Sequence, residues 1–196
     1  FRDNDKSIFS LALMFKSKEI VDILLKSNRF DVNSYSPLNG DTPLIESIKS
    51  SNFEITKCLI EHPQTDINLS NYQNKTPLVI ATNKDNLNVV DLLINNEKFN
   101  PERSQINYAF YISSSKIAKK LISIKSLNIE YIEETSNYYA NTPLKLALDK
   151  SDYEKINIIL DFYGDDIKSH SKQFTQLIKT FLLKFNKLAF NSYGKR

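Results

Sequence analysis

The chain has 196 residues, 41% hydrophobic and 25% charged, with a formal charge of +3, the balance of a soluble globular protein long enough to bury a sizeable core. Its single cysteine excludes an internal disulfide and fits a reducing, cytoplasmic compartment. No apolar run approaches the roughly 18–20 residues of a membrane helix, and the opening residues show no leader pattern.

Along the chain the dominant pattern is repetition. Thr-Pro-Leu occurs at Thr42-Pro43-Leu44, Thr76-Pro77-Leu78 and Thr142-Pro143-Leu144; the first two lie 34 residues apart and the third 66 further on. A fixed period of this size is the mark of a solenoid built from stacked supersecondary units. The opening Phe1-Arg2-Asp3-Asn4-Asp5 reads as a turn leading into Ser7, as though a helix pair preceded it in a longer chain. From Ser7 a unit runs in register through Ile20, Leu24, Leu25 and Asp31-Val32-Asn33. The copies from Thr42 and Thr76 align without a gap, Leu44 on Leu78, Ile55 on Val89, Leu59 on Leu93 and Ile60 on Ile94. A weaker copy starts at Ser104 with Ile106, Ala109, Ile117, Leu121 and Ile122 in place, only 28 residues after its predecessor. The copy from Thr142 needs one extra residue between Ala147 and Ile156.

Each unit predicts two short helices. Thr is a good N-cap, and proline at the first helical position has its φ preset and no N–H to orphan. The first helix breaks at Ser51-Asn52, Asp85-Asn86 or Lys150-Ser151-Asp152, where Asn and Asp suit a left-handed turn. Apolar residues then return at helical spacing, as in Ile55, Cys58, Leu59 and Val89, Leu92, Leu93. A lone pair of this size cannot bury its stripe, so neighbours must stack.

The sequence therefore resembles the ankyrin-repeat family, whose unit is a β-turn and two helices of about 33 residues with a T-P-L-H-x-A signature. That signature stands as Thr76-Pro77-Leu78-Val79-Ile80-Ala81 and Thr142-Pro143-Leu144-Lys145-Leu146-Ala147, with Ser47 replacing Ala in the Thr42 copy. The His is absent throughout, the hairpin glycine remains only as Gly40, and the fourth unit lacks a recognisable finger. The resemblance covers residues 1 to about 163. It implies an all-α ankyrin-repeat solenoid of about five helix–turn–helix units with β-turn fingers, near 3–33, 37–68, 71–101, 102–130 and 137–167, followed by a C-terminal capping helix over 168–196. It further implies a protein partner bound by finger tips and the exposed side of the first helices. Matched by position, the finger residues are Leu38, Asn39, Asp41, Tyr72, Gln73, Lys75, Tyr138, Tyr139 and Asn141. The helix residues are Ile45, Lys49, Val79, Asn83, Lys145 and Asp149. Tyr72, Tyr138 and Tyr139 sit in polar turns, where a ring is either a binding anchor or a brace along the neighbouring finger.

Chemistry-bearing motifs are missing. One cysteine and two separated histidines, His62 and His170, do not make a zinc site, and Cys58 falls on an inner helical stripe as a small hydrophobe. No Gly-rich phosphate loop or nucleophile elbow occurs, and the adjacent acids Glu133-Glu134 and Asp165-Asp166 read as solvated surface. The sequence thus points to a non-enzymatic scaffold without cofactor or metal.

Charge is unevenly placed. Residues 168–196 hold seven Lys or Arg and no acid; subtracting that +7 from the net +3 leaves −4 on residues 1–167. The same segment spaces Phe174, Leu177, Ile178, Phe181, Leu182, Phe185 and Leu188 as an amphipathic helix. It predicts a cap with lysines in water, the alternative being an anionic membrane surface. Twenty-two Lys against four Arg argue against nucleic acid, for which Arg is the favoured reader. The leading expectation is a monomeric module that binds another protein; the alternative is a targeting or regulatory segment of a larger enzyme or effector.

Overall fold

The computed structural model describes residues 8–27, 30–124, 127, 147 and 150–163. The chain divides into two compact units, residues 1–127 and 128–196. The first holds four helix pairs: α1 Ile8–Met14 with α2 Lys18–Lys26, α3 Pro43–Lys49 with α4 Phe53–Glu61, α5 Pro77–Asn83 with α6 Leu87–Ile94, and α7 Ile106–Ile112 with α8 Ser115–Leu121. In the second, α9 spans Tyr153–Tyr163, with Ile156, Ile158 and Ile159 buried. No strand occurs among the described residues. The expected cap over 168–196 and the finger of the fifth copy lie outside the described residues.

Capping decides where the helices start. Thr42 and Thr76 are extended, and each hydroxyl accepts the N–H three residues on, from Ile45 and Val79 at 3.3 Å. Pro43 and Pro77 follow at the first helical position. The tight link to the second helix divides its labour differently from the expectation. The left-handed residue is Lys16, Ser51, Asp85 or Ser151, with φ between 52° and 57°. The following Asn52 and Asn86 are not left-handed at all; their side chains cap α4 and α6 by accepting from Ile55 and Val89. A short side-chain carbonyl one residue before the helix is worth more as an acceptor than as a tolerant turn residue.

The fourth pair departs from this plan. Without Thr-Pro, Gln105 takes a left-handed φ of 56° and caps nothing with its side chain, and the link to α8 shortens to Ser113-Ser114, both extended. Ser114 does not cap α8 with its side chain either; its hydroxyl donates across the stack to the Asp85 carboxylate in the previous link.

Units stack in sequence, first helix on first helix (α1 on α3, α3 on α5, α5 on α7) and second on second. Ile48, Ile55, Leu59, Leu78, Leu93, Phe110 and Ile117 are fully buried between the layers. Apolar contact is not directional, so something polar must set the register. Two asparagines do it identically. Asn33 Nδ2 donates to the Gln64 carbonyl at 2.8 Å and its Oδ1 accepts from the Asp66 N–H at 2.8 Å. One unit later, Asn68 Nδ2 donates to the Lys98 carbonyl at 2.8 Å and its Oδ1 accepts from the Asn100 N–H at 2.9 Å. Asp31 and Asp66 brace the two asparagines by accepting their backbone N–H groups. Asn68 also takes the Ser104 hydroxyl at 2.6 Å, which ties in the fourth unit.

Asn68→Ala removes a donor and an acceptor that serve four groups at a site only 5% exposed. The expected loss of stability is on the order of 1–3 kcal/mol, the cost of buried groups left unpaired. Asn95→Ala, on an exposed helix end, is expected to stay within about 0.5 kcal/mol. Urea unfolding of the two variants beside the parent checks both figures.

Candidate functional site

Two fingers project from the loops that precede α3 and α5. In the first, Ser36 N–H donates to the Asp41 carbonyl at 2.9 Å and Gly40 N–H to the Ser36 carbonyl at 2.8 Å. In the second, Asn71 N–H donates to the Lys75 carbonyl and Asn74 N–H to the Asn71 carbonyl. The left-handed residues are Gly40 and, one repeat on, Asn74, with φ of 69° and 54°.

The fingers lean on each other. Tyr72 N–H donates to the Asn39 carbonyl at 3.1 Å, and the Tyr72 ring stacks on Tyr35 with centroids 6.3 Å apart. That ring also occupies the space a Cβ on Gly40 would need, its Cδ1 and Cγ lying against that position. Glycine is required here twice over, for its φ and for the ring. Tyr72 therefore braces the neighbouring finger and still shows 67% of its surface. Leu38, at the tip of the first finger, is 87% exposed, and Tyr35 is 46% exposed. A leucine this bare beside two stacked tyrosines is an apolar patch on an otherwise polar turn.

Other expected positions divide sharply. Asp41 is buried, so it is a frame residue and not part of a tip. Its carboxylate accepts from Lys49 Nζ at 2.6 and 2.8 Å, from Asn71 Nδ2 at 2.7 Å and from Asn39 Nδ2 at 2.8 Å. One carboxylate thus links both fingers to α3, because a buried charge has to be paired and hydrogen-bonded. Lys49 keeps partial exposure but spends its ammonium on Asp41. Ile45 and Val79 are completely buried and offer no surface to a partner. The reason is packing: the first turn of α3 is enclosed by α1, α4 and α5, and that of α5 by α3, α6 and α7. Gln73 and Asn83 are exposed, and Lys75 is half-buried. Tyr138, Tyr139, Asn141, Lys145 and Asp149 lie outside the described residues.

The fourth unit adds residues that sequence reasoning passed over for want of a finger. Because α7 packs on α5, its outward side continues that of α3 and α5. Tyr108 is 41% exposed and stands 6.2 Å from the half-buried Tyr111, ring centre to ring centre, while Asn107 is exposed. The signal was present in the register, where Tyr111 takes the place of Lys49 and Asn83. The first helices α1, α3, α5 and α7 carry only two charged residues, Glu46 and Lys49, whereas α2, α4, α6 and α8 carry eleven. One side of the stack is charge-poor and tyrosine-bearing; the other is charged.

The charged side holds structural pairs. A shallow groove between α4 and α6, lined by Phe53, Ile60, Glu61, Asp91 and Leu92, carries two acids that are already answered. Lys57 lies 3.9 Å from Glu61, and Lys120 lies 3.3 Å from Asp91, close enough for an ion pair but out of line for a hydrogen bond. Lys98 reaches back a full unit to donate to the Ile60 and His62 carbonyls at 2.9 and 2.7 Å, a cation at a helix C-terminus that lacks its own. Burial there lowers its pKa. Cys58 is half-buried, and desolvation pushes its thiol up, away from the thiolate that reactivity needs. Among the described residues no three His, Cys, Asp or Glu side chains stand close enough to hold a metal ion, and no helix is long and apolar enough to cross a membrane.

A repeated helix pair, a paired finger and a threonine-proline helix start define a class, and comparison with known proteins agrees. A family model for ankyrin repeats, in three copies, matches residues 9–105. The chain belongs to the ankyrin-repeat family over that span, with the all-helical fold that this entails. It is also 33% identical over 92 residues to the I-Kappa-B like protein C2 of Microplitis demolitor bracovirus (isolate Webb). That match takes in 47% of this chain and 51% of the viral protein, so the chain spans about half the length of the curated relative it matches. Ankyrin repeats in general mediate protein–protein interaction.

Asp66 joins two units through its ion pair with Arg103, Oδ2 to Nη2 at 2.7 Å. Burial would raise its pKa, but the hydrogen bonds from Arg103 and from the Asn68 backbone and amide outweigh that and hold it below the usual carboxylate range. A depressed carboxylate contributes stability that is complete above its unfolded pKa and is lost as pH falls through the folded value. Acid unfolding below about pH 4 is therefore expected to be shallower in Arg103→Ala than in the parent. Urea midpoints measured from pH 7 down to pH 3 give the comparison, and identical slopes would remove Asp66 from the account.

Proposed function

We propose that this chain is a non-catalytic module that binds another protein through its fingers and the charge-poor side of its first helices. One observation carries the reading: Leu38, Tyr35 and Tyr72 form an exposed apolar patch whose backbone is locked by the next finger. Tyrosine supplies large contact area with few rotatable bonds, and a pre-ordered finger loses little entropy on binding. Asn83, Gln73, Asn107 and Tyr108 are exposed as well, on the second finger and the first helices, and offer neutral hydrogen-bonding groups. The partner surface that suits it is apolar at its centre and uncharged around it. The likeness to an I-Kappa-B like viral protein supports a regulatory use of this binding, acting by occupancy of the partner.

The test is affinity capture from cells that express the protein, using the parent, Leu38→Ser, Tyr108→Ala and a charged-side control, Lys57→Ala. Leu38 and Tyr108 are exposed enough that their loss leaves the core intact. A partner that uses this face is expected to be held by the parent and the control and lost by roughly tenfold or more in Leu38→Ser. Equal retention by all four proteins would refute the finger face.

A further inference from the structure

Asn39-Gly40 is the one Asn-Gly step in the chain, a pair that reacts with itself wherever its backbone is free. The Gly40 backbone nitrogen attacks Cγ of the Asn39 side chain. An N–C bond forms, the N–H proton is given up, and the side-chain nitrogen leaves as ammonia, closing a five-membered succinimide. Water then opens the ring on one side or the other, to aspartate or to isoaspartate, in which the chain runs through the former side chain. Any other residue after asparagine crowds that attack with its own Cβ; glycine does not. The second finger carries Gln73-Asn74 at the matching places, where the ring would be larger and the nitrogen crowded. Asn39 is exposed, so water reaches it.

The folded finger leaves neither reacting group free. Gly40 N–H donates to the Ser36 carbonyl at 2.8 Å. The Asn39 amide is held at both ends: Oδ1 accepts from the Asp41 N–H at 2.9 Å, and Nδ2 donates to the Asp41 carboxylate at 2.8 Å. The next finger fastens this arrangement. Asn71 Nδ2 holds the same carboxylate at 2.7 Å, the Tyr72 ring covers Gly40, and the Tyr72 N–H donates to the Asn39 carbonyl at 3.1 Å. We infer that Asn39 is a deamidation site kept inert by the second finger, and that its reaction undoes the finger pair. Attack requires Gly40 to release its hydrogen bond and the amide to turn away from Asp41, so the rate follows the fraction of time the finger is open. Aspartate at this place replaces a donor on Asp41 with a second carboxylate, and the Lys49 ammonium then faces two acids. Isoaspartate turns the carbonyl that takes the Tyr72 N–H into a free carboxylate and lengthens the turn by one carbon. Either product releases the backbone that presents Leu38.

Peptide mapping by mass spectrometry tests this on the whole chain held in mildly alkaline buffer. The parent is followed folded and in guanidinium chloride, beside folded Asn71→Ala, Tyr72→Ala and the charged-side control Lys57→Ala. Conversion of Asn39 is expected to be roughly tenfold or more slower in the folded parent and the control than in denaturant, and to rise several-fold in the two finger variants. Circular dichroism reports whether each variant keeps its helices; should Asn71→Ala lose them, Tyr72→Ala decides. In Asn39→Asp the Tyr72 N–H is expected to exchange with solvent roughly tenfold or more faster than in the parent. A folded parent that converts as fast as the denatured chain overturns the inference, as does an Asn39 that stays intact in denaturant. So do folded finger variants as inert as the parent, or an Asn39→Asp whose Tyr72 N–H exchanges at the parent's rate.

Discussion

The paired hydrogen bonds from one asparagine amide to the backbone of the next loop, made by Asn33 and again by Asn68, set the spacing on which everything else in the stack depends. Apolar layers would tolerate sliding; an amide that must find a carbonyl and an N–H at once does not. The residue is asparagine in both units because its side chain alone carries a donor and an acceptor in one short plane. Around that anchor the polar work is passed forward along the chain. Lys98 completes the end of α4, Arg103 pairs with Asp66, and Ser104 joins Asn68. Each unit is finished by its successor, as in a one-dimensional array where neighbour contacts carry most of the stability.

That dependence organises the face as well. Asp41 ties Lys49, Asn39 and Asn71 into one network, and Tyr72 lies across Gly40. A finger is held by the finger after it, so its exposed side chains are presented on fixed backbone. Charge is concentrated on the second helices, where Lys57 pairs with Glu61 and Asp91 with Lys120; α3 carries only Glu46 and Lys49, and α5 and α7 carry none. A face of neutral and aromatic groups can be covered without stripping water from ions.

Much of this was legible in the sequence. Thr-Pro marks helix starts because the cap and the preset φ are local chemistry, and they fall where expected at Thr42 and Thr76. Gly40 and Asn74 take the left-handed finger position for equally local reasons. What escaped depends on neighbours one unit away. Ile45 and Val79 look like surface positions in a single repeat and are enclosed by three helices in the stack. Asp41 resembles a turn acid until Lys49 and Asn71 close on it. Tyr108 and Tyr111 were overlooked because the fourth unit lacks the motif that draws attention, although its register was correctly placed. Asn52 and Asn86 were assigned the turn and in fact perform the cap.

The most direct measurement is native-state amide exchange at the Asp66 and Asn100 N–H groups, which donate to Asn33 and Asn68 from the neighbouring unit. Both amides lie in loops outside any helix, so local structure alone gives them little protection. If asparagine holds the register, both exchange only when the stack opens, as slowly as core amides such as those of Leu59 and Leu93. Exchange at the rate of an exposed finger amide such as that of Leu38 would contradict the claim and leave apolar packing alone to position the units.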